Sequence, residues 1–208
     1  MRSPARKPHD IDSLTDVALA VFARHGFDGA SMEDVARAAG VTKAAIYHHV
    51  AGKEALLERG LCRALDALFA ILEEPRAATG PAAERLRFIV RRVVQTTLRL
   101  LPELSVLFRV RGNSAVEDDA IERRRRFDRI VAALVAEGQR EGDLRAGVDP
   151  ALTSRLIFGM TNSLVEWYQP GRALDPEAIG AAVETLVFGG LSAGNKGSGA
   201  VDGSAAPE

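Results

Sequence analysis

The chain has 208 residues, enough to bury one large core or two small ones. Lysine and arginine together number 27 against 28 aspartate and glutamate, so a generally basic coat is excluded and any nucleic-acid contact has to be a localised patch. A single cysteine, Cys62, excludes an internal disulfide and fits a reducing cytoplasm, and no apolar run approaches the roughly 18 residues of a membrane span.

Residues 1–9 carry Arg2, Arg6 and Lys7 among prolines and read as a flexible basic arm, either a plain leader or a strand that touches DNA. Asp10 or Asp12 opens a helix in which Ile11, Leu14, Val17, Ala18, Val21 and Phe22 recur at helical spacing, ending at Gly26. Ser31 is placed to cap a second helix, with Asp34 three residues on to reach back to it. Val35, Ala36 and Ala39 are small or apolar, so another helix can approach closely, and Gly40 supplies the backbone freedom of a tight turn. Thr42 caps the next helix, Ile46 points to the core, and Lys43, Ala44, Tyr47 and His48 are left facing outward. From Val35 to Lys53 there is no acidic residue, while Arg37, Lys43, His48, His49 and Lys53 all fall there, a local field suited to phosphate.

Phe22, Gly26, Ser31, Ala36, Ala39-Gly40-Val41-Thr42, Ile46-Tyr47, Lys53-Glu54, Leu56 and Leu57 resemble, in order and spacing, the N-terminal signature of the TetR family of bacterial transcription regulators. Val50 departs from it, standing where that family usually carries an aromatic residue. The resemblance implies a helix-turn-helix that binds operator DNA as a homodimer and releases it on binding a small molecule. On this reading Ser31, Tyr47 and Lys53 hold phosphates, Lys43, Ala44 and His48 read base edges, and Thr42 belongs to the same interface.

Glu54 to Glu74 reads as one long helix with Leu57, Leu61, Leu65, Leu68 and Leu72 as its apolar line. Pro75 and Gly80 bracket a loop, and Pro81 starts a helix carrying Leu86, Ile89, Val90, Val93, Val94 and Leu98. A short apolar helix follows Pro102, breaks at Arg111-Gly112-Asn113, and gives way to a helix from about Val116 to Glu141. Asp149-Pro150 and Asp175-Pro176 each open one of the last two helices. The first presents Leu152, Leu156, Met160, Leu164 and Trp167, the second Ile179, Val183, Leu186 and Val187. Two such helices from each of two subunits would form a four-helix bundle, which is also the dimer interface the resemblance implies. Residues 192–208 are rich in glycine, serine and alanine without periodicity and read as a disordered tail.

The fold expected is all-α: a helix-turn-helix unit over residues 10–52 and a larger ligand-binding and dimerisation body over 53–191. Arg123 to Arg126 sweep about 300 degrees of one helix, so they cannot share one solvent face. Guanidinium forks suit phosphate and carboxylate, which nominates Arg91, Arg109, Arg123 and Arg124, with Phe127, Met160 and Asn162, as ligand contacts; the alternative is a solvated arginine face paired with Glu122 and Asp128. Gly159-Met160-Thr161-Asn162 and Trp167-Tyr168-Gln169-Pro170-Gly171 resemble TetR-like regulators of fatty-acid, aromatic-acid and steroid breakdown, a resemblance that implies acyl-CoA effectors. An efflux-pump regulator sensing amphipathic compounds and a helical dimerisation adaptor without DNA are the competing readings. No metal, cofactor or catalytic residue is expected: there is no HExxH, nucleophile elbow or dinucleotide fingerprint, and His48-His49 point about 100 degrees apart on a helix.

Overall fold

The computed structural model describes residues 10–171 and 174–191; the expected arm at 1–9 and tail at 192–208 lie outside the described residues. Among the described residues the chain is helical, with no strand, as its periodicity predicts. Three helices open it: α1 (Ile11–His25), α2 (Met32–Ala39) and α3 (Lys43–Tyr47). Each starts on a side chain that accepts an otherwise orphaned amide. Asp10 takes the N–H of Ser13 at 2.8 Å, Ser31 that of Asp34 at 3.2 Å, and Thr42 that of Ala45 at 3.2 Å.

The long helix α4 (Lys53–Glu73) carries the chain away from this unit. It buries Leu57, Leu61, Leu65 and Leu68 along one stripe and lies close against α1, because Gly60 leaves room for the Leu19 side chain. A Cβ on Gly60 would sit 2.4 Å from Leu19 Cδ2. Beside this contact Arg59 pairs with Asp12 at 2.9 Å and Arg63 with Asp16 at 2.6 Å, one helical turn apart on both helices. Arg63 also pairs with the buried Glu103.

The body follows as α5 (Pro75–Ala78), α6 (Ala82–Arg99), α7 (Leu101–Arg109), α8 (Ala115–Glu141), α9 (Pro150–Asn162), α10 (Leu164–Trp167) and α11 (Pro176–Leu191). The loop expected between Pro75 and Gly80 thus contains one helical turn. Helix α6 is central, packed against α4, α8 and α11, and α9 lies along α8. Phe127 on α8 stands edge-on to Phe69 at 5.7 Å and tilted against Phe158 at 5.5 Å, joining α4, α8 and α9 in one core.

Two sequence expectations need correction here. The helix expected from Leu152 through Trp167 breaks at Ser163. Thr161 Oγ1 donates to the Phe158 carbonyl at 3.1 Å and Ser163 Oγ to that of Met160 at 2.8 Å, hydroxyls that compete with the helix's own amides for carbonyl oxygens. The proposed dimer stripe is also divided. Leu164, Ile179, Val183 and Val187 are buried within the chain, the last three on α11 where it packs on α6, so they belong to the core of one subunit. Leu152, Leu156, Trp167 and Leu186 stay exposed.

Candidate nucleic-acid interface and effector cavity

The N-terminal unit is built as its sequence predicts. Ser31 and Asp34 form a complete capping box: the Ser31 N–H donates to Asp34 Oδ2 at 3.0 Å and the Ser31 hydroxyl to the same oxygen at 2.6 Å. These bonds hold the Asp34 carboxyl below its usual range. Gly40 then ends α2 in the left-handed region, at φ 64° and ψ 36°, with its N–H on the carbonyls of Ala36 and Arg37. That turn brings α3 across α2 and buries Ile46 completely, leaving Thr42, Lys43, Ala44, Tyr47 and His48 exposed on the outer side.

Lys43 and Lys53 are less free than the sequence implies. Lys43 Nζ pairs with Glu33 at 2.6 Å, a bond that raises the lysine's pKa and lowers the glutamate's. Lys53 Nζ donates to the carbonyls of Phe27 at 2.9 Å and Ala30 at 3.2 Å and sits 4.4 Å from the centre of the Phe27 ring. Two of its three N–H donors are committed, so Lys53 is a clamp on the loop between α1 and α2 before it is a phosphate contact. Ser31 is likewise occupied, its hydroxyl being engaged inside the capping box.

Between α4, α6, α7, α8, α9 and α10 lies a cavity of about 490 Å³. Leu68, Val93, Phe108, Phe127, Phe158 and Val165 are its apolar lining residues, and Arg109, Arg124, Asp128, Arg155, Asn162 and Glu166 its polar ones. Arg124 gives one N–H to the Leu107 carbonyl at 3.2 Å, which leaves most of its fork unused. Burial pushes the Asp128 carboxyl above its usual range, and the positive charges of Arg124, Arg155 and Arg129 only partly offset that.

Arg109, Arg124, Phe127 and Asn162 are therefore brought together as the sequence proposes. Arg91, Arg123 and Met160 are not. Arg91 lies where α6 meets α11 and pairs with Glu177 at 2.8 Å, Arg123 pairs with Asp66 at 2.5 Å, and Met160 is on the exposed side of α9. Asp128, which the sequence offers only as a partner of a solvated arginine face, also lines the cavity, as do Arg155 and Glu166, which the sequence does not nominate. A helical signal was there for the first two: Asp128 follows Arg124 by four residues on α8, and Arg155 precedes Gly159 and Asn162 by four and seven on α9. Among the described residues no group of three His, Cys, Asp or Glu side chains is placed to hold a metal ion, and no helix is long and apolar enough to cross a membrane.

Two family descriptions match the chain: bacterial regulatory proteins of the tetR family over residues 14–59, and the tetracyclin repressor-like C-terminal domain over residues 79–191. Among curated proteins, the HTH-type transcriptional repressor KstR2 of Mycolicibacterium smegmatis is 26% identical over 194 residues, covering 91% of this chain and 94% of its own. Among solved structures, a TetR-family regulator of Streptomyces coelicolor A3 is 49% identical with a TM-score of 0.82, over 91% of this chain and 94% of that one. The ketosteroid transcriptional regulator KstR2 of Mycobacterium tuberculosis is 25% identical with a TM-score of 0.81, over 92% and 99%. AibR, solved with isovaleryl coenzyme A and operator DNA, shares the fold at 21% identity and a TM-score of 0.74, over 86% and 97%. With its helix-turn-helix and its body both matched, the chain is no enzyme: it belongs to the TetR family of bacterial transcription regulators.

Proposed function

We propose that this regulator is a homodimeric repressor whose hold on operator DNA is released by an acyl-CoA thioester. The observation that carries the ligand class is the mixed lining of the 490 Å³ cavity, aromatic and aliphatic side chains together with the guanidinium groups of Arg109, Arg124 and Arg155. The pocket suits an acyl chain, and guanidinium forks suit the phosphates or the carboxylate of what the chain is attached to. Among the relatives, AibR was solved with isovaleryl coenzyme A, which favours a thioester, and KstR2 is described as a ketosteroid regulator, which favours an apolar ligand body.

On this reading residues 10–52 form the DNA-binding unit and 53–191 the body, with α4 as the connection. Lys43, Ala44 and His48 face base edges, and Tyr47 and Thr42 face the backbone beside the exposed start of α3. Two such units must stand roughly 34–36 Å apart to enter successive major grooves, so a ligand that changes the body of each subunit changes the fit. The partner surface is the exposed apolar face of α9, α10 and α11, carried by Leu152, Leu156, Trp167 and Leu186. The site of action is the cytoplasm, where the operator is.

A gel-shift titration on DNA from immediately upstream of the protein's own gene tests this, run with a panel of acyl-CoA thioesters and a matched panel of cationic dyes. Retardation abolished by a thioester and untouched by dyes is the expected result. Release by the dyes alone would transfer the protein to the efflux class, and no retardation on any fragment would remove operator binding at that locus.

A further inference from the structure

The loop that leads from α1 into the capping box of α2 is held by two cations from the body. Lys53 of α4 takes the carbonyls of Phe27 and Ala30, as described above. Arg109, the last residue of α7, takes the carbonyl of Ala23 in the final turn of α1, with Nη1 at 2.5 Å. A carbonyl there has no amide partner within its own helix, so the arginine serves as a C-terminal cap supplied by another element. The Lys53 clamp has no contact with the effector cavity. Arg109 does: it lines the cavity, and it also lines a second hollow of about 440 Å³ beneath the α1–α2 loop, against Phe22, Phe27 and Glu117.

The other arm of the same guanidinium is held from inside the cavity wall. Nη2 donates to both carboxylate oxygens of Glu166 on α10, at 3.1 and 3.3 Å, and Glu166 is itself a lining residue. Both side chains are about half exposed, at 47% and 62%, so an incoming anion can reach them. The pair sits just past the break at Ser163, which turns α10 toward α7.

We propose that Arg109 is the coupling residue between effector and operator: Glu166 positions its guanidinium on the Ala23 carbonyl, and an anionic ligand group competes with Glu166, draws the guanidinium into the cavity and uncaps α1. Of the two cations only Lys53 then remains engaged here, the last turn of α1 loses its cap, and the orientation of α2 and α3 loosens. This rests on the cavity being the effector site, but its first test needs no effector. The hydrogen bonds of Glu166 go to Arg109, whose other arm reaches α1, so an effect of Glu166→Gln on α1 that disappears in the Arg109→Met background passes through Arg109.

Hydrogen–deuterium exchange on the full-length protein, without ligand, reads the amides of Gly26 and Ala30, which are bonded to Phe22 and Phe27. In Arg109→Met, which keeps the aliphatic stem and deletes the donors, they should exchange on the order of tenfold faster. In Glu166→Gln the rise should be roughly threefold, because the exposed pair it breaks is weak, and operator affinity measured by fluorescence anisotropy should fall with it. Unchanged exchange in both variants, or a rise in Arg109→Met with none in Glu166→Gln, overturns the relay.

The second arm adds isovaleryl-CoA and octanoyl-CoA, with free coenzyme A for comparison, following binding by thermal shift. Wild type should lose operator affinity roughly fivefold or more. Arg109→Met should start from a weaker operator affinity and bind thioester less tightly; with thioester raised until its own thermal shift saturates it should lose little further, and a full response under those conditions overturns the proposal. If no thioester shifts wild type, the effector reading fails, and the ligand-free exchange of Glu166→Gln alone decides the relay.

Discussion

Glu117 shows how a single side chain can organise a connection that the backbone alone would leave open. One of its oxygens, Oε2, accepts the N–H groups of Arg111 at 2.9 Å, Gly112 at 2.9 Å and Asn113 at 3.1 Å, folding the α7–α8 loop around one atom. Burial pushes this carboxyl up, but the three amides outweigh burial and hold it below the usual glutamate value of 4.5. A depressed folded-state pKa contributes stability above the unfolded value, and that contribution is lost as pH falls through the folded one. Glu117→Ala should therefore cost about 2–3 kcal/mol at pH 7, or roughly 4–12 °C in Tm, by leaving three amides without their acceptor. Thermal denaturation as a function of pH checks both parts: the gap to wild type should narrow below about pH 4.5, where wild type loses the same bonds. A gap independent of pH would mean that the charge is not what holds the loop.

Among the elements, the approach of α1 to α4 is the one most tightly set. Gly60→Ala would place a methyl group 2.4 Å from Leu19 Cδ2, and Leu19 is fully buried with nowhere to turn. Overpacking of this kind costs about 1–3 kcal/mol, and the better helix propensity of alanine recovers about 1 kcal/mol of it. A net loss of up to about 2 kcal/mol in urea denaturation is expected, together with weaker operator binding as α1 is levered off α4. Helix starts such as Asp10, Ser31, Thr42 and Asp149 were legible in the sequence, because a cap is a local event between a side chain and an amide three residues away. The break at Ser163 was not, since Leu152, Leu156, Met160 and Leu164 keep helical spacing straight through it. Nor was the facing of α11: a stripe of Ile179, Val183 and Val187 says that one side is apolar without saying which neighbour covers it. In the cavity, Arg124 and Phe127 were readable from the arginine run, whereas Asp128 among arginines looked like a solvated partner until burial placed it inside. The Lys53 clamp joins residues 26 and 23 positions apart, a separation that no local pattern encodes.

For the whole molecule, the exposed apolar side chains left on α9 and α11 mark where a second copy is proposed to sit. Leu156 is 62% exposed and Leu186 66%, large aliphatic groups that a lone chain leaves to water. Leu156→Glu would bury a charge in that contact, and a loss of about 3 kcal/mol corresponds to roughly a hundredfold rise in the dimer dissociation constant. Sedimentation velocity should then show monomer at micromolar concentration while circular dichroism keeps its helical signal; an unchanged dimer would place the interface elsewhere. The last consequence concerns time rather than affinity. A regulator has to discard a very large number of wrong sequences before it meets the right one. Lys43, proposed as a base reader, is held in the free protein by Glu33 at 2.6 Å. Random DNA offers that lysine only a phosphate in exchange for its carboxylate, a nearly even trade, whereas a matching base edge adds a bond that Glu33 cannot supply. If Lys43 reads a base as proposed, the pair would shorten the stay on wrong sites more than on right ones, and an acidic residue beside the reading helix would quicken the search through a genome.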